Sequence, residues 1–151
     1  MKLEFSGAPE IQASREKVWS RLMDPSFVAV SAPGVESVEA VDATRFRVIS
    51  GLGVGSVKVK FKLDVELSDI VEPERLRMAA RGKAPGSAVD VMSSVRLEDT
   101  GNGHTRLNWS ATSTVSGTVA SVGARLLEGT ARKLTEEFWT DFARRVNADA
   151  R

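Results

Sequence analysis

The 151-residue chain contains no cysteine. This excludes a disulfide framework, a thiolate nucleophile and any cysteine-based metal site, and it fits a reducing compartment. Histidine occurs once, at His104. A metal site would have to be built from carboxylates alone, and no loop offers them at ligand spacing. Lysine plus arginine (21) balance aspartate plus glutamate (20), for a formal net charge of +1. No overall field therefore draws nucleic acid. No apolar run approaches the roughly 20 residues that span a bilayer. Met1-Lys2-Leu3-Glu4-Phe5-Ser6 is not followed by the apolar stretch of a secretory leader. The expectation is a soluble, cytoplasmic protein, with residues 1–151 as a single domain free of repeats and long linkers.

What is present is a change of period along the chain. Leu3 and Phe5 alternate with polar or small neighbours, and Ile11 and Ala13 follow a break at Gly7-Ala8-Pro9. Ser14 is placed to cap a short helix carrying Val18, Trp19 and Leu22 on one face. Asp24-Pro25 begins a second, brief helix, which Ala32-Pro33-Gly34 ends. From Val35 the period becomes two. Val57, Val59, Phe61, Leu63, Val65 and Leu67 alternate with Lys58, Lys60, Lys62, Asp64, Glu66 and Ser68, giving a long strand with one dry and one wet face. Leu76 and Met78, then Val89 to Leu97, then Leu107 to Val115 read the same way, separated by turn-forming clusters. Gly51, Gly53 and Gly55 suggest a strongly curved hairpin.

After Gly117 the period is helical again. Thr118 or Ser121 is the expected cap, and Val119, Leu126, Leu127, Leu134, Phe138 and Phe142 form the apolar stripe of a helix of about 25–30 residues. The expected fold class is α+β. A curved antiparallel sheet of about seven strands wraps around the long C-terminal helix, with two short helices after the first strand.

The chemistry of this pattern favours binding over catalysis. No catalytic residue is assigned. His104 sits in the turn Gly101-Asn102-Gly103-His104, with no carboxylate expected beside it. Asp64, Glu66 and Asp90 alternate with the apolar face and so point outward, whereas an enzyme pocket wants titratable groups pointing in. There is no Gly-x-Ser-x-Gly elbow, and Gly51-Leu52-Gly53-Val54-Gly55 precedes a strand rather than a phosphate-cradling helix. No cofactor is expected.

Alternation places Phe46, Val48, Phe61, Leu63, Leu76, Met78, Val91, Leu107 and Trp109 on the dry face. The helix adds Leu127, Leu134 and Phe138, with Gly123, Thr130 and Ala131 leaving room on the same side. Ser93, Ser113 and Thr130 supply neutral hydroxyls, and pairing Leu97 with Thr105 sets Ser93 opposite Trp109. Phe27, Val30, Pro33 and Gly34, with Ala32, are the expected pocket rim and a candidate gate. Pairing Phe46–Val48 with Val57–Val59 lines up Arg45, Arg47, Lys58 and Lys60 on the wet face, extended by Lys62 and Arg81. Such a row suits an acidic partner or an anionic membrane surface, or serves as a solvated face that discourages aggregation.

Several stretches resemble a known family. They are Ile11-Gln12-Ala13 leading into Val18-Trp19, Leu22-Met23-Asp24-Pro25, Pro33-Gly34-Val35, the strand from Val57 to Leu67, and Gly117-Thr118-Val119-Ala120-Ser121-Val122-Gly123 with Arg125-Leu126. Together they resemble the CoxG family (the G subunit of carbon monoxide dehydrogenase). That family belongs to the START/SRPBCC helix-grip superfamily, which also holds birch-allergen-like proteins and polyketide cyclases. The resemblance covers nearly the whole chain. It implies a helix-grip fold and a role beside a molybdenum-containing dehydrogenase of the carbon monoxide dehydrogenase type, in its maturation or electron transfer. The resulting expectation is a non-catalytic binding or carrier protein for an apolar small molecule, with a lipid quinone as candidate ligand and peripheral contact at the inner membrane face. The alternatives are an enzyme of the polyketide cyclase/dehydrase type and a pure interaction module.

Overall fold

The computed structural model describes residues 1–149. Its elements run β1 (Lys2–Gly7), β2 (Glu10–Ile11), α1 (Arg15–Leu22), α2 (Pro25–Ser31), β3 (Val35–Ala40), β4 (Arg45–Val54), β5 (Val57–Val71), β6 (Arg75–Ala84), β7 (Ser87–Gly101), β8 (His104–Gly117), a 3-10 turn (Thr118–Val122) and α3 (Ala124–Asp149). The sheet is antiparallel throughout, in the order β1-β8-β7-β6-β5-β4-β3, with β2 also on β8. Helix α3 packs across its apolar face.

Local chemistry explains the short elements. The Ser14 hydroxyl accepts from Lys17 N at 3.2 Å, which caps α1 and lets Val18 and Trp19 face the core. Asp24 Oδ1 accepts from Ser26 N and Phe27 N, and Pro25 fills the first position of α2. Ala32 turns extended ahead of Pro33, as the residue before a proline tends to do, and the helix stops. Gly34 must be glycine. Its φ is +75°, and a Cβ there would collide with the Gly51 carbonyl oxygen. Gly51 N donates to Gly34 O at 2.8 Å, which seams the start of β3 to the middle of β4.

Three sequence expectations need correction. First, Gly51 and Gly53 lie inside β4, and the β4–β5 turn is at Gly55-Ser56, so Val48 pairs with Leu63 rather than with the Val57–Val59 region. Second, the β7–β8 turn closes at Asn102-Gly103, both with φ above zero as a tight two-residue turn demands. Leu97 therefore faces Leu107, and Ser93 faces Ala111 rather than Trp109. Both slips are by an even number of residues, so every side chain stays on its expected face and only its neighbours change. Third, Gly123 is not in a helix interior. It precedes α3 with φ +104°, and Thr118 and Ser121 belong to the 3-10 turn instead of capping α3.

Two cores form under α3. Near its C-terminal end, Phe142 and Val146 are fully buried with Ile11, Val18, Trp19, Leu97, Leu107 and Trp109. Near its N-terminal end, Leu127 packs with Leu3, Val54, Phe61, Val115 and Val119. At about 25 cal/mol per Å² of apolar surface removed from water, such clusters are the main favourable term in folding.

Candidate functional site

Beside each core lies a chamber of about 300 Å³. Chamber A is enclosed by α2, β3, the outer ends of β4–β7 and two side chains of α3, Phe138 and Trp139. Its walls include Met23, Val28, Ala29, Ala32, Phe46, Val48, Val65, Leu67, Leu76, Met78 and Ser93. Chamber B lies one helical turn towards the N-terminus of α3. Leu127, Thr130, Ala131, Leu134 and Thr135 cover it from the helix. Phe61, Leu63, Val91, Ser113, Ser50 and Leu3 line it from the sheet. No charged side chain lines either chamber among the described residues. An isolated charge there would carry a desolvation penalty of several kcal/mol.

The candidate lining residues thus divide. Phe46, Met78 and Ser93 line chamber A. Phe61, Leu63, Val91, Ser113, Leu127, Thr130 and Leu134 line chamber B. Trp109 lines neither. It is 7% exposed and stacks on Trp139 at 5.6 Å, so the ring facing chamber A is Trp139. Leu107 is fully buried in the solid core. Gly123 lies outside both chambers, before α3 begins. The Ser93 hydroxyl donates to Ser110 O at 3.0 Å, and Thr135 Oγ1 donates to Ala131 O at 2.7 Å. Ser50, Ser113 and Thr130 line chamber B, and their hydroxyls make no side-chain hydrogen bond among the described residues.

The rim is built from α2, but from other residues than expected. Pro25, Val28, Ala29 and Ala32, at i, i+3, i+4 and i+7, form the wall. That spacing is the signal available in the sequence. Phe27 instead packs edge-on against Phe142 at 5.8 Å, with the Arg145 guanidinium 3.8 Å from its ring centre. Val30 is 70% exposed, and Pro33 and Gly34 lie outside the lining.

A polar latch fastens the end of α2 to α3. Ser31 Oγ donates to Asp141 Oδ2 at 2.8 Å, and Arg145 Nη1 donates to Ser31 Oγ at 2.9 Å and to Phe27 O. Hydrogen bonds from Arg144, then from Ser31, hold the Asp141 carboxyl below its ordinary value of 3.8.

The expected basic row is broken up by acids. Arg45 pairs with Asp42 at 2.7 Å, Arg47 with Asp64 at 3.7 Å, Lys60 with Glu36 at 3.3 Å, and Arg81 with Asp90 at 3.8 Å. Lys58 stands opposite Gly53, and Lys62 lies between Ile49 and Lys83. His104 does have a carboxylate neighbour, since its Nδ1 lies 3.2 Å from Glu10 Oε1, but the pair sits at the surface away from both chambers. No helix is long and apolar enough to cross a membrane among the described residues.

Solved structures share this architecture. A conserved protein from Geobacillus kaustophilus superposes with a TM-score of 0.89 at 26% identity, over 99% of this chain and 98% of that one. The Zhui aromatase/cyclase from Streptomyces sp. R1128 gives 0.72 at 15% identity, over 100% and 97%. A START superfamily protein from Mycobacterium smegmatis gives 0.69 at 14% identity, over 96% and 97%. The last two likenesses establish the fold alone. No curated protein matches the sequence. The pattern of the CoxG family, described as the G subunit of carbon monoxide dehydrogenase, matches residues 7–147. With its helix gripped by the sheet and that match spanning almost its full length, the chain belongs to the CoxG family.

Proposed function

We propose that this chain is a non-catalytic binding or carrier protein for an apolar small molecule held between α3 and the sheet. The observation that carries the reading is chamber A, a space of about 300 Å³ walled by aliphatic, methionine and aromatic side chains with no charge among them. A pure interaction module would gain stability by filling such a space, because interiors normally pack without voids.

The ligand class follows from how the two chambers differ. Chamber B offers the free hydroxyls of Ser50, Ser113 and Thr130, which suit carbonyl or hydroxyl oxygens on a flat ring. Chamber A suits an apolar tail running past Phe138 and Trp139. A lipid quinone has both parts. A fatty acid wants a cationic partner for its carboxylate, and the lining supplies none. Membership of the CoxG family supports a place as accessory to a molybdenum-containing dehydrogenase of the carbon monoxide dehydrogenase type. On this reading the protein works in the cytoplasm, with peripheral contact at the inner membrane face.

Titration of tryptophan fluorescence with a quinone and with a fatty acid of matched tail length tests the assignment. Quenching of tryptophan fluorescence is expected for the quinone, whose ring is the quenching group, and the affinity it reports should fall in Ser113→Ala. An equal response to both ligands, or to neither, would overturn it. Native mass spectrometry of protein purified from its own host should reveal a bound apolar molecule.

A further inference from the structure

On the outer face of β4 and β5, most basic side chains meet an acid within 4 Å. A second part of the same face departs from this. Arg75 on β6 stands directly opposite Arg96 on β7, and Arg96 directly opposite Asn108 on β8. The next row, two residues along, is Arg77, Ser94 and Ser110. Like charges directly opposite one another in a sheet are destabilising. Among the described residues no carboxylate lies within 4 Å of Arg75 or Arg96, whereas Arg77 has Asp69 at 3.5 Å. Asp69 reaches it from an irregularity in β5, where the register shifts between Ser68 and Val71 and Asp69 adopts φ +49°.

These side chains border a groove of about 620 Å³, with Ile70 and Val71 exposed on its wall. Apart from Asp69, its polar side chains are guanidiniums, an amide and hydroxyls, all able to donate. A repulsive pair kept without a counter-charge, beside a groove of donors, marks a place where the protein leaves the anion to someone else.

We propose that this groove docks an acidic segment of a protein partner. Opposed side chains across neighbouring strands stand about 5 Å apart, so two guanidiniums present adjacent forks to carboxylates. Ile70 and Val71 add the apolar contact that commonly accompanies arginine in interfaces. An anionic membrane fits less well, because a broad headgroup surface would also meet Glu72 and Glu74 in the β5–β6 turn, whereas neither lines the groove that a peptide segment would follow. The assignment does not depend on what the chambers hold.

The test uses the full chain and a labelled poly-glutamate peptide, with fluorescence anisotropy at low and high salt. The double variant R75Q/R96Q is compared with R47Q/K60Q, which removes the same charge from the acid-paired part of the face. R75Q/R96Q should weaken peptide binding by about tenfold or more, and R47Q/K60Q by less than about threefold. R75Q/R96Q should melt no lower than the unaltered chain, because a repulsion is relieved. Equal weakening by both doubles, or by neither, overturns the proposal. So does binding to phosphatidylserine vesicles that is lost in R75Q/R96Q while the peptide fails to bind the unaltered chain.

Discussion

The two chambers under α3 have the same volume and different chemistry. Chamber A is roofed by the short helix α2 and floored by Phe138 and Trp139. Its one hydroxyl among the described residues, Ser93, is already bonded to backbone. Chamber B is roofed by α3 itself and lined by aliphatic residues, Phe5 and Phe61, together with the hydroxyls of Ser50, Ser113 and Thr130. One helix face thus passes from space to solid core in regular steps, Leu127 and Leu134 over B, Phe138 over A, then Phe142 and Val146 with no exposure at all. The contrast separates residues that hold the fold from residues that bound a cavity.

The largest expected effect tests that separation. Phe142→Ala should destabilise by about 3–5 kcal/mol, as for other fully buried phenylalanines, measured by chemical denaturation. Phe138→Ala, whose side chain already borders a void, should cost about 1–2 kcal/mol and enlarge chamber A. Equal losses would mean that no real division exists. Next come filling variants. Ala29→Phe should block chamber A and Ala131→Phe chamber B, each lowering affinity for a two-part ligand about tenfold, or about 1.4 kcal/mol. An apolar dye that needs only chamber A should respond to the first and ignore the second.

Smaller still, Ser113→Ala or Ser50→Ala should reduce quinone affinity by about 1 kcal/mol, and Ser93→Ala should leave it unchanged because that hydroxyl is occupied. The smallest effect concerns the latch. The Asp141 carboxyl is depressed in the folded state, so its contribution is present above the ordinary value of 3.8 and lost as pH falls through the lower, folded value. Acidification below about pH 4 should therefore loosen α2, seen as faster hydrogen exchange at Val28–Ser31. Asp141→Asn should exchange fast there at neutral pH and show no further acid response.

Much of this is legible in the residues. Alternation along Val57–Leu67 assigns each side chain to a face, and the Ser14 and Asp24-Pro25 signals place α1 and α2. Register is less legible. Three glycines in and after β4 mimic a turn, and only one of them makes it, so Arg47 meets Asp64 instead of a row of lysines. Alternation has period two and is blind to an even slip, so it predicts faces well and neighbours poorly. The site inherits that limit. Trp109 lies on the inner face, as alternation requires, but its ring is covered by Trp139, which no single-strand pattern contains. The α2 wall at Pro25, Val28, Ala29 and Ala32 is readable from helical spacing, against the pull of the larger Phe27 and Val30.

The seam between Gly34 and Gly51 has a mechanical consequence. The segment roofing chamber A is joined at its leading end to α1, by the hydrogen bond from Asp24 N to Arg21 O, and at its trailing end to the middle of β4, by the hydrogen bond from Gly51 N to Gly34 O. A beam clamped at both ends bows at mid-span; it does not swing like a door. Passage of a bulky molecule would then be set by how far Val28–Ser31 can flex once the Ser31 tether is released, with the anchored ends returning the roof to one resting shape after each crossing.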